Sequence, residues 1–234
     1  MRTTTTTPRS VAQAFLTAPV RPQTYKNLAY LALQFPLGVA YFVLLVPALG
    51  FGLGSLPLLV LLGLPAVGAL VVGVATMTVD RAVTAALLPV ELERHTAGAS
   101  LDDGVVVYLT DLLFDPGTYL SVVFVLAKFA VGIATFVVLT VSGTLVAVAL
   151  AAPFLYDHPD ATLTIPLPAA VGGGLVAVDT LPEALAFAAL GVVGAVLVVN
   201  LWNAIAWLLG EATTLACRHA RVLDVGSAVE PDRA

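Results

Sequence analysis

Long apolar runs dominate the chain, and the polar residues fall mostly between them. Four runs reach the roughly 20 residues that a helix needs to cross a bilayer. They cover about residues 28–49, 56–79, 120–151 and 183–209. Each is apolar all round, unlike the one-sided helices of a soluble core. None alternates with period two, which argues against a membrane barrel. The pattern predicts an all-α membrane protein with four transmembrane helices. The first run has 27 residues before it and is far longer than the roughly 7–15-residue core of a signal peptide, so it is read as a retained helix.

The segments between the runs carry their own signals. Pro36 and Pro47 are expected to kink the first span and Pro65 the second. "LGFGLGSLP" (49–57) is a tight turn that makes spans one and two a hairpin. Residues 80–95 continue the second helix until "TAGAS" (96–100) breaks it. A short helix then runs to 115, starting near Ser100 or Asp102; its apolar residues include Val106, Leu109, Leu112 and Leu113, so it is expected to lie against the membrane. Between spans three and four, "ATLTIPL" (161–167) and "LVAVDT" (175–180) are strand-like around "VGGG" (171–174), a candidate small extracellular β-hairpin that Pro166 and Pro168 weaken. "TLPEAL" (180–185) is a helix start, and residues 210–224 carry the last helix past the membrane. Residues 1–8 and the last ten are read as disordered, with Ser10 capping a short surface helix through Leu16. The organisation is then an N-terminal segment 1–27, a hairpin 28–80, a helical loop 81–117, a second hairpin 118–210 with an outer loop 152–182, and a helix and tail 211–234.

Composition strengthens this picture. The chain is 59% hydrophobic and 11% charged, with mean hydropathy +1.01, against about 25% charged residues in a soluble domain. Its lone Cys217 excludes an internal disulfide. Charge distribution orients the spans. Arg2, Arg9, Arg21 and Lys26 precede span one, Arg81 and Arg94 lie between spans two and three, and Arg218, Arg221 and Arg233 follow span four. The loops after spans one and three have no Lys or Arg. The positive-inside rule places both termini and the middle loop in the cytoplasm of a multi-pass cell-membrane protein. Net charge is −5, with two Lys against eight Arg and ten Asp, a balance that hints at a salt-loving host and argues against nucleic acid as a partner.

An internal repeat adds more. Residues 22–45 align without a gap on 116–139, with nine of 24 positions identical: Pro22/Pro116, Thr24/Thr118, Tyr25/Tyr119, Phe35/Phe129, Gly38/Gly132, Ala40/Ala134, Phe42/Phe136, Val43/Val137 and Leu45/Leu139. The Pro, Thr and Tyr precede the apolar runs, so hydrophobic composition does not account for them. With the charge-based orientation, both copies run from cytoplasm to outside. The expected architecture is therefore two parallel-repeat hairpins about an axis along the membrane normal. In each leader, Pro opens the helix, Thr24 or Thr118 caps it, and Tyr25 or Tyr119 sits at the interface. Gly38 and Gly132 lie one turn before Phe42 and Phe136 and allow a close helix neighbour.

Candidate chemistry is sparse. Gln34 and Lys128 occupy the same repeat position and are polar in both copies. Lys128 either snorkels to the cytoplasmic surface or pairs with Asp80 or Glu211. Asn200 and Asn203, beside Trp202 and Trp207, form a second polar patch for interhelical hydrogen bonding. Ala69–Gly73, Ala184–Ala188 and Gly191–Ala195 are small-residue pairs suited to close packing. "YDHPD" (156–160) groups Asp157, His158 and Asp160 in the outer loop, where a solvated loop competes with a proton or metal site. His95 and His219 are isolated, and Asp102–Asp103 suits a helix cap better than catalysis. No phosphate loop, zinc spacing or nucleophile arrangement is present, so no enzyme activity, cofactor or metal is expected.

"TYKNLAYLALQFPLGVAYFVLL" (24–45), "DRAVTAALLPVE" (80–91), "DPGTYLSVVFVLAKFAVGIATFVVLT" (115–140) and "VDTLPEALAFAALG" (178–191) resemble the "putative sensor" membrane domain of actinobacteria and halophilic archaea, over about residues 24–215. Members of that family often stand N-terminal to a histidine kinase. The resemblance implies a membrane input module for signal transduction, and this chain carries no kinase, His box or ATP site of its own. It would relay to a separate kinase or other signalling protein, or act as a homo-oligomer in the bilayer. A small transporter or channel component and a structural assembly partner are the other readings.

Overall fold

The computed structural model describes residues 13, 15–54, 63–90, 92, 104–157, 164–166 and 175–220. Four long helices carry it: α1 (Pro22–Gly54), α2 (Gly63–Leu87), α4 (Pro116–Leu155) and α5 (Leu181–His219). All four are long and apolar enough to cross a membrane. A short helix, α3 (Val105–Phe114), lies between α2 and α4, and one 3-10 turn, Ala18–Val20, precedes α1. Strands β1 (Thr164–Pro166) and β2 (Leu175–Ala177) pair antiparallel, with Ile165 opposite Val176. Of the turn expected at 49–57, residues 49–54 continue α1 as helix instead. Its residues 55–57, with Ser10, the expected 96–100 break, Asp102–Asp103, His95, His158, Asp160, "VGGG" and the C-terminal tail, lie outside the described residues.

α1, α4 and α5 run past their apolar stretches at both ends and α2 past its C-terminal end, because polar flanks extend a helix without entering the bilayer. Pro65 falls in the first turn of α2, where the missing N–H bonds nothing, so it does not interrupt a span as expected. The expected helix over 80–95 ends at Leu87, two residues before Pro89, as proline restricts the residue before it. α3 starts at Val105, after Gly104 at φ 104°, later than the Ser100 or Asp102 expected. Glu183 accepts the N–H groups of Asp179 and Thr180 at 3.3 and 3.2 Å, half of a capping box at the start of α5.

The chain divides into two compact units. One comprises the described residues of 25–136 and 204–234. Its core joins Tyr41 and Leu45 of α1, Leu70 and Val74 of α2, Leu112 of α3, and Val122 and Val125 of α4. Here α1 and α4 meet through two aromatic stacks. Phe35 lies on Phe136 at 4.5 Å between ring centroids, and Phe42 lies on Phe129 at 4.2 Å. Two glycines admit the backbones. A Cβ on Gly38 would stand 3.0 Å from the Lys128 carbonyl, and one on Gly132 would stand 2.6 Å from the Gln34 carbonyl.

These contacts fix direction. As α1 advances seven residues from Phe35 to Phe42, its partner retreats seven, from Phe136 to Phe129. The two helices therefore run antiparallel where they touch. α2 runs with α4 instead, since Gly73 packs on Val122 and Asp80 pairs with Lys128. The expected parallel arrangement, with both repeat helices going from cytoplasm to outside, does not hold. The contacts are also reciprocal: Phe35, Phe42 and Gly38 meet Phe136, Phe129 and the Lys128–Phe129 backbone, and exchanging repeat partners returns the same set. The local two-fold relation lies across the helices, not along them.

The other unit comprises the described residues up to Thr24 and 137–203. α4 and α5 approach closely there, where a Cβ on Gly191 would stand 2.8 Å from that of Ala149. Val178 closes the base of the 156–180 connection by packing with Ala152 and Ala184.

A buried ion pair among the membrane helices

The polar residues of the first unit converge on Lys128. Its Nζ lies 3.0 Å from Asp80 Oδ2, with the two side chains 6% and 1% exposed. It also donates to Gln34 Oε1 at 3.2 Å and to the Tyr30 hydroxyl at 3.5 Å. The rings of Phe124 and Tyr30 stand 5.3 and 5.8 Å from the ammonium, within cation–π range. Lys128 does not snorkel. Burial inside apolar helices makes a lone ammonium costly, and a carboxylate on the neighbouring helix compensates it.

Local sequence builds this arrangement. Tyr30, Gln34 and Gly38 recur every four residues on one face of α1, and Phe124, Lys128 and Gly132 do the same on α4. The glycines bring the backbones together, so the polar residue one turn before each glycine faces its repeat partner. Asp80 comes from the same face of α2 as Met77 and Thr84, all buried. Of the two proposed carboxylates, the structure selects Asp80, while Glu211 is exposed.

Several buried groups surround the pair. The hydroxyl of Thr213 faces the Asp80 carboxyl from α5, and Tyr41 faces it from α1. Gln34 Nε2 and Tyr41 OH have no hydrogen-bond partner among the described residues. Arg81 turns to the backbone, donating from Nη2 to the Leu92 carbonyl at 3.1 Å. Buried Cys217 packs with Met77 and Ala220. Tyr30, Tyr41, Phe124 and Thr213 were not singled out from the sequence, although the four-residue spacing around Gln34 and Lys128 was there to find Tyr30 and Phe124. What the cluster does chemically is hold two opposite charges where neither is stable alone.

The other candidates are dispersed. Asn203 and Asn200 belong to the second unit, and Asn203 Nδ2 donates to Thr24 Oγ1 at 3.1 Å. Asn200 Nδ2 reaches the carbonyls of Phe15 at 3.0 Å and Val196 at 2.8 Å. Trp202 Nε1 donates to Ser142 at 3.1 Å, and Trp207 is exposed. The leader threonines do not cap as expected. Thr24 donates to the Ala18 carbonyl at 2.7 Å. At α4 the capping group is Asp115, whose Oδ1 accepts the Gly117 N–H at 2.9 Å, and Thr118 donates to Oδ2 at 3.4 Å. Pro22 and Pro116 each open a helix. Tyr25 and Tyr119 are exposed, and the Tyr119 hydroxyl donates to the Leu113 carbonyl at 2.8 Å. Among the described residues no group of three His, Cys, Asp or Glu side chains gathers as a metal site would.

No curated protein and no solved structure matches the chain. A family model described as "Putative sensor" matches residues 30–215, which take in most of each of the four membrane-type helices and both partners of the ion pair, and the chain belongs to that family.

Proposed function

We propose that the chain is a non-enzymatic, multi-pass membrane sensor subunit that relays a stimulus to a separate protein. The observation that carries this reading is the Lys128–Asp80 pair, 3.0 Å long and buried between α4 and α2. A buried pair is weak evidence for stability but is suited to a two-state element, because displacing either helix strands a charge and costs several kcal/mol. Gln34 and Tyr30 extend the same contact to α1, so a shift in one helix is felt by three.

The repeated leaders and the reciprocal contacts of α1 and α4 support descent from one duplicated helical unit. Arg2, Arg9, Arg21 and Lys26 support a cytoplasmic N-terminal segment. A small transporter would need a polar path, and the groups on the first unit's helices cluster around one ion pair instead of lining one.

The test is partner capture. The protein and its Lys128→Met variant are purified from their native membrane after cross-linking, and co-purifying proteins are compared. The proposal expects a signalling partner whose yield changes with the variant. Equal recovery of the same partners by both folded proteins would count against it, and substrate flux in liposomes that is lost with Lys128→Met would favour a transporter.

A further inference from the structure

α3 has two unlike sides. Leu112, fully buried, belongs to the core formed with α1, α2 and α4, and Leu113 packs beside it. Val106, Val107 and Phe114 are 77%, 53% and 81% exposed, and Thr110 is exposed with them. At about 100° per residue these four fall within one arc of about 100°. α3 contains no Lys or Arg, and its one acid, Asp111, lies outside that arc. The apolar surface does not stop at the end of α3. Phe114 leads directly to Tyr119, Leu120 and Val123 on the exposed side of α4, a helix long and apolar enough to cross a membrane. The Tyr119 hydroxyl bond to the Leu113 carbonyl clamps the two elements at this corner.

We propose that this face of α3 takes the bilayer interface as its ligand and is the element through which the sensor reads the state of the lipid. Continuity with the lipid-facing side of α4 identifies the occupant. A face of valine and phenylalanine without cations binds by apolar insertion at the headgroup–acyl boundary, not by attraction to anionic headgroups. Phe114 and Tyr119 are the aromatic pair expected at that depth. Leu112 supplies the coupling, because it stands in the same core as Val74 of α2 and Val122 of α4, the helices that carry Asp80 and Lys128. The membrane contact stands independently of the sensor reading, whereas the reading of lipid state rests on it.

The test places an NBD fluorophore on Phe114→Cys, and separately on Val106→Cys, in the full chain with Cys217→Ala, reconstituted in zwitterionic phosphatidylcholine vesicles. The emission should be quenched strongly by lipid carrying a shallow doxyl label, weakly by aqueous iodide, and to the same extent in low and high salt. Dominant iodide quenching at both positions would overturn the proposal by placing the face in water. Protection from both quenchers would overturn it by placing the face against protein. For the coupling, shortening the acyl chains should change partner capture by the wild type and not by Phe114→Asn. Equal responses of the two would refute the reading of lipid state while leaving partner capture by the unperturbed protein, and so the sensor reading, intact.

Discussion

Replacing Lys128 by Met is the most informative single perturbation of this molecule. At 3.0 Å and an effective dielectric constant near 20, the attraction between two unit charges is about 5.5 kcal/mol. Removing one partner leaves Asp80, 1% exposed, as an uncompensated charge, and truncations of this kind cost about 3–5 kcal/mol. That corresponds to a shift of roughly two to three and a half powers of ten in the unfolding equilibrium. The variant also deprives Gln34 Oε1 and the Tyr30 hydroxyl of their donor, which pushes the loss toward the upper end.

Asp80→Leu should cost a similar amount for the mirror-image reason. The double variant, Asp80→Leu with Lys128→Met, removes both charges at similar volume and should lie within about 2 kcal/mol of the wild type, or above it. With single losses of about 3 kcal/mol or more each, the coupling in the double-mutant cycle is therefore at least about 4 kcal/mol. The assay is unfolding by sodium dodecyl sulfate in mixed micelles, followed by far-ultraviolet circular dichroism. Single losses below about 1 kcal/mol that simply add in the double variant would refute the reasoning, since the pair would then be hydrated and not a buried lock.

Three further outcomes follow from the geometry. Gly132→Ala puts a Cβ 2.6 Å from the Gln34 carbonyl and should destabilise by about 1–3 kcal/mol through overpacking, as a lower unfolding midpoint in the same titration. Tyr25→Cys and Tyr119→Cys, each with Cys217→Ala, should differ toward an impermeant maleimide on intact cells, with Tyr25→Cys protected and Tyr119→Cys labelled, because the antiparallel register separates them by roughly 35 Å at the helical rise; equal labelling would show that both helices enter from one face. The native Cys217, fully buried, would report nothing in that experiment. Asp115→Ala removes the cap at α4 and should cost about 1 kcal/mol, measurable as loss of amide protection at Gly117 by hydrogen exchange.

The sequence carried the four long helices plainly, because uninterrupted apolar runs have no competing reading at that length. It carried the close approach as well: Gly38 and Gly132 stand where backbones nearly touch. Helix direction was another matter. Arginine counts order the connections between spans, whereas the sense in which α1 meets α4 depends on which side chains interlock. Asp80 and Glu211 were equivalent by the same limit, since both lie near helix ends and only packing turns one of them inward. Thr118 looked like a cap because Thr commonly caps, but Asp115 one residue before the helix wins with a full charge on the orphan amides.

The reciprocal contact also explains why the repeat is imperfect where it is. Residues 34 and 128 are partners in the alignment and neighbours in space, with Lys128 donating to Gln34. Two lysines at these positions would set like charges against one another in a low dielectric, with one carboxylate between them. Two glutamines would leave Asp80 buried without a cation. Gln34 opposite Lys128 is the combination in which the amide oxygen accepts from the ammonium and the charge is matched once, by Asp80. The difference between the two aligned segments is thus what one buried carboxylate requires: they differ at the position that meets Asp80 and agree at the glycines beside it.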